Sequence, residues 1–229
     1  MVFDAYGTLL DVFSIARQAE AAYPGNGQNI AFGCRDKQVE YSRLVAMADP
    51  DPVHGSRHHK SFGDITLAAL QYTLARLGLD ESGLQGLADA HEELEPFPDV
   101  APVLARLHAA GVKTAVLSNG DPGALSRVLT HAHLLEHFDR IISAEEARTY
   151  KIAPSVYGLV SRHFPHPETP VMFVSSNGWD IIGAGWFGFR TFWLNRAGLP
   201  AETIGPAPDH VGKSLSELLD ILGVHIANH

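Results

Sequence analysis

Short apolar runs separated by helix-like stretches are the feature of this sequence that most restricts its fold. Four such runs occupy residues 113–120, 140–146, 169–177 and 189–195. The stretch "DVAPVLARLHAAG", which ends at Gly111, is typical of the amphipathic segments between them. Strands that alternate with helices indicate a parallel sheet with helices on both faces. A continuous apolar run such as "VMFV" agrees, because strands of this kind are buried on both sides. We therefore predict an α/β fold.

Residues 14–93 contain no comparable run. The segments "RDKQVEYSRLVAMA" and "SFGDITLAALQYTLARLGL" space their apolar residues as helices do, and the polar "DPDPVHGSRHH" between them indicates a loop. We expect an all-helical insertion placed just after a first strand, with "EPFPDV" (95–100) returning the chain to the sheet. By composition, residues 198–210 form a loop.

Charge and cysteine content exclude several classes of protein. The net charge of -9 and a pI near 5.7 disfavour nucleic acid as a partner, because phosphate binding needs a basic surface. A single cysteine, Cys34, cannot form an internal disulfide, so we expect a reducing, cytoplasmic location. No apolar run approaches the roughly 20 residues that cross a membrane, and no signal peptide is visible.

Polar side chains follow the first four predicted strands where each one ends. Because ligands of open parallel sheets bind outside the carboxyl ends of the strands, these side chains should converge at one edge. In chain order they are Asp4 and Thr8, then Ser118, Asn119 and Gly120, then Lys151, and finally Ser175, Ser176, Asn177 and Asp180. The edge would therefore combine carboxylates, hydroxyls and an ammonium group.

This arrangement resembles the haloacid dehalogenase superfamily over nearly the whole chain. The stretches "FDAYGTLLDVFS", "AYPG", "RDKQVEY", "LSNGDP", "VSSNGWD" and "FWLNRAG" are together similar to its L-2-haloacid dehalogenase branch. The resemblance implies a Rossmann-like parallel-sheet core, here residues 1–13 and 94–229, with a helical cap of residues 14–93 inserted after the first strand. It also implies hydrolysis of short L-2-haloalkanoic acids to halide and inverted 2-hydroxy acids through an aspartyl ester.

The resemblance also assigns roles to the polar residues. Asp4 would be the nucleophile, and Lys151 would counter the negative charges of Asp4 and the substrate. Ser118, with nearby backbone N–H groups, would bind the substrate carboxylate. The residues that would orient the nucleophile and the hydrolytic water are Thr8, Tyr157, Ser175, Asn177 and Asp180.

The pocket around the halogen is assigned in the same way. Arg35 would lie over the halogen, and an always-charged guanidinium can hold a departing anion. Asn119 would also face the halide. Tyr6, Phe62 and Trp179 would form the walls.

Tyr6 separates this branch from the phosphatases of the superfamily on chemical grounds. Phosphatases carry a second aspartate at this place, two positions after the nucleophile, where it protonates the leaving alkoxide. A phenol with an ordinary pKa near 10 is a weak acid for that task. A halide needs no proton to leave, only a dry pocket and donors for the developing anion. Tyr6 therefore favours cleavage of a carbon–halogen bond.

Simpler structural interpretations exist for several of these residues, and Asp180 could pair structurally with Lys151. Asp4 could cap a helix, since Asp is a favoured N-cap, and Ser118 could do the same. Lys151 could be a solvated surface lysine, and Arg35 one charge on a solvated helix face. Phe62 and Trp179 fit the core and a pocket wall equally well.

Three positions depart from the pattern of the branch. Ile152 stands where proline usually follows the lysine. Around Arg35, where tryptophan often precedes and glutamine often follows, the chain has Cys34 and Asp36. The carboxylate of Asp36 would either reduce the local positive potential or pair with Lys37. Cys34 is expected to be a small buried residue.

We expect no organic cofactor and no metal, because a monoanionic haloacid can be held by Ser118, backbone donors and Lys151. The 13 histidines form no pattern of metal ligands. Asp4 and Asp180 could nevertheless supply two oxygen ligands, so a Mg²⁺-dependent phosphatase is the first alternative. A non-catalytic binding protein on the same scaffold is the second. Dimers are common in the branch, but the sequence shows no decisive interface stripe.

Overall fold

Six short strands form one fully parallel sheet in the computed structural model, which describes residues 1–48, 51, 53–165 and 170–223. Their order is β3-β2-β1-β4-β5-β6. In chain order the strands are β1 Val2–Phe3, β2 Ala115–Ser118, β3 Arg140–Ser143, β4 Met172–Ser175, β5 Arg190–Leu194 and β6 His210–Gly212. The α/β prediction is thus confirmed.

The shortest strand, β1, lies at the centre of the sheet, between β2 and β4. Val2 is paired with Ala115 on one side and with Phe173 on the other. All four residues of β2 are buried, so both of its faces are covered, as its continuous apolar sequence predicts. The chain runs outward through β2 and β3 and then returns to β4 on the other side of β1. The crevice between β1 and β4 is therefore the topological switch point, where α/β sheets bind ligands.

Nine α-helices accompany the sheet in the described part of the chain. They are α1 Ala16–Ala22, α2 Gly27–Ala48, α3 Phe62–Arg76, α4 Leu84–Ala90, α5 Val100–Ala109, α6 Pro122–His131, α7 Pro154–His163, α8 Gly178–Phe187 and α9 Glu217–Ile221. Two 3₁₀ turns, Leu135–His137 and Ala144–Ala147, flank β3. The loop predicted over 198–210 is wrong at its last residue, because His210 begins β6.

Helices α1 to α4 follow β1 with no strand among the described residues of 14–93, as predicted. They pack around an apolar cluster of their own, in which Tyr23, Ile30, Leu70 and Leu74 are buried. The two ends of the insertion meet where Asp11 N–H donates to the Glu95 carbonyl (2.8 Å). The domain boundaries themselves stay a prediction, and residues 49, 50, 52, 166–169 and 224–229 of those ranges lie outside the described part.

The start of α3 is attached to the loops of the sheet by polar contacts. The Asp121 carboxylate, after β2, accepts from the N–H groups of Phe62 and Gly63 (both 2.9 Å). Ser56 N–H donates to the carbonyl of Arg148 (2.9 Å). These contacts bring Phe62 over the carboxyl edge of the sheet. In the described residues, no helix has the length and apolar character needed to cross a membrane.

Candidate active site

Asp4 is the centre of a buried hydrogen-bond network at the end of β1. One carboxylate oxygen, Oδ2, accepts from Asn177 Nδ2 (2.8 Å), from Thr8 Oγ1 (2.9 Å) and, at 3.5 Å, from Ser175 Oγ. The other, Oδ1, accepts from Lys151 Nζ at 2.9 Å. Asp4 is 5% exposed and caps no helix, so the simpler interpretation of this residue is wrong.

Lys151 is a buried ammonium held between two carboxylates. Its side chain is 1% exposed, and Nζ lies 2.9 Å from Asp4 Oδ1 and 2.8 Å from Asp180 Oδ2. Burial by itself lowers the pKa of this group, but the carboxylates of Asp180 and Asp4 outweigh burial and raise the pKa above its ordinary value. Lys151 is therefore charged at neutral pH, and it is not a surface lysine.

Asp180 is fully buried on the first turn of α8 and is bound by two donors. Tyr157 OH donates to its Oδ1 (2.7 Å), and Lys151 donates to its Oδ2. Burial is the largest influence and raises the pKa of Asp180 to about 6, with the Asp4 charge acting in the same direction. The Lys151 charge and the Tyr157 hydroxyl oppose this rise. A carboxylate with a pKa near 6 can accept a proton at neutral pH.

A small cavity lies above Asp4, and we call it the reaction cavity. Its volume is about 10 Å³, which is room for about one water molecule. Helices α2 and α3 form one side, and the ends of the strands form the other. The lining residues are Asp4, Tyr6, Arg35, Gln38, Val39, Ser42, Phe62, Asn119 and Trp179.

Arg35 crosses from α2 to the sheet. Its Nη2 donates to the Tyr6 carbonyl and to Asn177 Oδ1, both at 3.2 Å. Burial lowers the pKa of the guanidinium, while the charges of Asp4 and Asp180 oppose that effect. A half-buried guanidinium that lines the cavity is not one charge on a solvated face, so the simpler interpretation of Arg35 is wrong.

Two aromatic rings form one wall of the reaction cavity. Tyr6 and Phe62 are stacked with 5.5 Å between ring centroids and 28° between planes. Gly120 permits this arrangement, because a Cβ there would lie 2.8 Å from the Tyr6 ring. Burial is the main cause that raises the pKa of the Tyr6 phenol above its ordinary value. Tyr6 is therefore an even weaker proton donor here than in water. Phe62 belongs to both the apolar core and the cavity wall. Trp179 also lines the cavity, and the Arg43 guanidinium lies over its ring.

Ser118 and Asn119 end β2 in different environments. Asn119 lines the cavity, and its Oδ1 accepts from Lys151 N–H (2.9 Å). Ser118 is fully buried, and its Oγ accepts from Gly120 N–H (3.2 Å). Ser118 thus caps the turn after the strand and not helix α6. Its proposed contact with a substrate carboxylate stays a prediction.

The departures near Arg35 have clear structural outcomes. Lys37 pairs with Glu40 (2.7 Å) and not with Asp36, which is exposed. Cys34 is fully buried with its Sγ 3.8 Å from His91 Nε2, and burial raises the pKa of the thiol to about 12. It is therefore an inert core residue.

The sequence interpretation missed three residues of the cavity, Gln38, Val39 and Ser42. They stand three, four and seven residues after Arg35, so one face of α2 carries them all. That spacing is the signal that would have found them.

Among the described residues, no group of three or more His, Cys, Asp or Glu is placed to hold a metal. Asp4 and Asp180 are instead joined by the ammonium of Lys151.

Comparison with known proteins gives relatives over the full length of the chain. The (S)-2-haloacid dehalogenase H-109 of Pseudomonas putida is 38% identical over 224 residues, which covers 97% of this chain and 96% of the relative. The (S)-2-haloacid dehalogenase of Xanthobacter autotrophicus is 40% identical and covers 99% of this chain and 97% of its own.

Solved structures agree with the sequence relatives. An L-2-haloacid dehalogenase superposes with a TM-score of 0.91 at 41% identity, covering 97% of each chain. The L-2-haloacid dehalogenase from Xanthobacter autotrophicus with chloropropionic acid covalently bound gives a TM-score of 0.85 at 38% identity, again covering 97% of each. The family profile of haloacid dehalogenase-like hydrolases matches residues 1–188. The chain therefore belongs to the haloacid dehalogenase-like hydrolase family, in the branch of the L-2-haloacid dehalogenases.

Proposed function

We propose that this protein hydrolyses short L-2-haloalkanoic acids to halide and the inverted 2-hydroxy acid, with Asp4 as the nucleophile. The observation that carries the proposal is the unequal environment of the two Asp4 oxygens. Oδ2 accepts from Asn177 and Thr8, whereas Oδ1 accepts from Lys151 Nζ. Oδ1 therefore keeps a lone pair that can be directed at a carbon atom.

In the first step, the Oδ1 lone pair forms a bond to C2, and the carbon–halogen bond breaks as the halide leaves with the electron pair. Attack from the side opposite the halogen inverts C2. Arg35 and Asn119, which line the cavity, are the donors for the departing halide. No proton is needed for this departure, which is consistent with the buried phenol of Tyr6 where an acid would otherwise act.

In the second step, water adds to the Cγ carbon of the Asp4 ester. Negative charge then develops on Oδ2, where Asn177 and Thr8 already donate, so these groups form an oxyanion hole. Asp180, whose pKa is about 6, accepts the proton of the water. Collapse of the intermediate breaks the Cγ–Oδ1 bond, and Oδ1 leaves as the alkoxide of the hydroxy acid, which takes up the proton held by Asp180. The hydroxyl that water added to Cγ loses its proton to solvent, which restores the Asp4 carboxylate. C2 is not touched in this step, so its inversion is retained.

The helical cap over residues 14–93 is part of the same proposal. The separate apolar cluster of α1 to α4 supports the division, as do the polar contacts at Asp121 and Arg148. A homodimer and a cytoplasmic location stay expectations from the sequence.

Halide release from L- and D-2-chloropropionate, each with and without EDTA, tests the function. We expect chloride from the L-enantiomer alone, at a rate that EDTA leaves unchanged. If turnover is lost on chelation and restored by Mg²⁺, and if phosphate esters are then hydrolysed, the phosphatase alternative is correct. If no substrate of either kind is turned over, the binding-protein alternative gains support.

A single turnover in H₂¹⁸O, with enzyme in large excess, tests the nucleophile. Both an ester route and direct attack of water invert C2, so product chirality cannot distinguish them. The ester route places ¹⁸O in the carboxylate of Asp4 and leaves the first product unlabelled. Label in the first hydroxy acid instead would assign Asp4 as a general base. Asp4→Asn is inactive under both routes and serves only as the blank.

A further inference from the structure

A second cavity lies on the other side of the Tyr6–Phe62 wall. Its volume is about 170 Å³, against about 10 Å³ for the reaction cavity. Tyr6 and Phe62 line both cavities, so the two rings form a partition between them. The exposed residues Gln85 and Asp89 lie at its outer side and are joined by a hydrogen bond of 2.7 Å.

The partition is held in place from both sides. Thr66, which lines the second cavity, accepts from Gln38 Nε2 (2.8 Å), and Gln38 lines the reaction cavity. The Thr66 hydroxyl also donates to the Phe62 carbonyl (2.9 Å). Asp121 holds the Phe62 N–H. The backbone of Phe62 is therefore held in place, and its ring separates the two cavities together with the ring of Tyr6.

The walls of the second cavity are suited to a neutral apolar group. Ala88, Ala124 and the two rings supply small or apolar surface, which is the larger share of the walls, and Thr66, Gln85 and His91 add uncharged polar groups. The charged side chains among its described lining residues are the carboxylates of Asp89, Glu92 and Asp121. Carboxylates oppose the entry of a halide or of a second carboxylate group, so neither anion is suited to this space.

We propose that Phe62 sets the chain-length limit for 2-haloalkanoic acids by closing off the second cavity, which would take the alkyl tail of acids longer than propionate once the ring is removed. The proposal rests on the proposed function. The carboxylate and C2 of the substrate stay over Asp4, and the tail points past the position of the Phe62 ring. In the unaltered protein the ring excludes longer tails.

Phe62→Ala should shift the preference toward longer substrates. The quantity to measure is the ratio of kcat/KM for L-2-chlorohexanoate to kcat/KM for L-2-chloropropionate. Each methylene moved from water to an apolar site favours binding about fourfold. We therefore expect the ratio to rise at least tenfold, with a smaller rise for Phe62→Leu, which is the milder variant if the alanine variant fails to fold. An unchanged ratio in both variants overturns the proposal.

Refilling the second cavity distinguishes this proposal from a general widening of the reaction cavity. Ala88→Leu adds volume on the α4 side, away from Asp4. In the Phe62→Ala background it should return the ratio close to that of the unaltered protein. If the kcat/KM ratio stays high after Ala88→Leu is added, the alkyl tail lies outside the second cavity and the proposal is wrong.

Binding of unhalogenated acids separates this proposal from the proposed function. Calorimetric titration of hexanoate and propionate requires no dehalogenation. Phe62→Ala should increase the affinity for hexanoate at least tenfold relative to that for propionate, and adding Ala88→Leu should remove this increase. The binding pattern could hold although neither the unaltered protein nor any variant releases halide. In that case the proposed function is wrong, and the role of the second cavity in binding the alkyl tail is supported. If halide is released but Phe62→Ala does not tighten the binding of hexanoate relative to propionate, the proposal for the second cavity is wrong and the proposed function is unaffected.

Discussion

At the scale of single residues, the site combines two positive and two negative groups that are shielded from water. Asp4, Lys151 and Asp180 are each at most 5% exposed, and the half-buried Arg35 lies above them. Charges removed from water persist only when they are paired and hydrogen-bonded. The arrangement therefore pairs the Asp4 carboxylate directly with the Lys151 ammonium, away from bulk water.

Arg35 is predicted to act mainly while the halide departs. Arg35→Ala should lower kcat for 2-chloropropionate about a hundredfold, in line with the loss of one donor to a developing anion. The loss should be smaller for 2-bromopropionate, because bromide is the better leaving group and depends less on the donor. Arg35→Lys, which keeps the charge but not the planar fork, is the control and should retain more activity. Equal losses for both halides that appear only in KM would assign Arg35 to uniform substrate binding.

The acid limb of the pH profile is predicted to follow Asp180. Its pKa is raised to about 6, mainly by burial, so the proton-accepting form is lost as pH falls through about 6. The Tyr157 hydroxyl stabilises the charged form, and Tyr157→Phe should therefore raise this pKa and move the acid limb of kcat upward by about one pH unit. Tyr150→Phe is the control, because the Tyr150 hydroxyl donates to the Lys60 carbonyl and not to Asp180. An acid limb that stays in place in Tyr157→Phe would remove Asp180 from the proton-transfer step.

At the scale of elements, the N-terminus of α3 has two different caps. Ser61 and Asp64 form a capping box within the helix, with Ser61 Oγ accepting from Asp64 N–H at 3.0 Å. Asp121, in the loop after β2, caps the same turn by accepting from the N–H groups of Phe62 and Gly63. The second cap therefore joins the position of Phe62 to the loop after β2.

Removal of the two caps should have different consequences for activity. Ser61→Ala and Asp121→Ala should each lower the free energy of unfolding by about 1 kcal/mol, measured by denaturant titration. Only Asp121→Ala should also raise KM for 2-chloropropionate several-fold, because Phe62 then loses its link to the sheet. If both variants raise KM equally, the effect belongs to the helix as a whole and not to its attachment.

The sequence predicts those strands and helices that a run or spacing of neighbouring apolar residues marks. It does not predict features that depend on contacts between distant segments. The runs that became β2 to β5 and the spacing that became α2 and α3 carry their own signal. Strand β6 has only three residues, and two of them are partly or fully exposed, so no apolar run marks it. Asp121 was missed because its partners, Phe62 and Gly63, are about sixty residues away in the chain. Polar contacts between such distant segments leave no periodic pattern.

At the scale of the whole molecule, the site is too narrow in this structure to hold a substrate. A reaction cavity of about 10 Å³ is smaller than a 2-chloropropionate molecule. Asp4 lies beneath residues of α2 and α3, and Ser118, Ser175 and Asp180 are fully buried. Substrate can therefore reach Asp4 only if the helices of the insertion move relative to the ends of the strands. The contacts that must break include the hydrogen bonds of Asp121 to the start of α3 and the Tyr6–Phe62 stack, whereas β2 is held on both sides by strand pairing.

Hydrogen exchange should detect this opening as a motion smaller than global unfolding. The N–H groups of Ser56, Phe62 and Gly63, which donate to Arg148 and Asp121, should exchange faster than those of β2, because local opening costs less free energy than unfolding the sheet. L-2-chloropropionate bound to the inactive Asp4→Asn variant should slow exchange in the first group, because a bound substrate favours the closed arrangement. The β2 amides serve as the internal reference. Equal protection of both groups in an enzyme that turns over its substrate would show that entry does not use this opening.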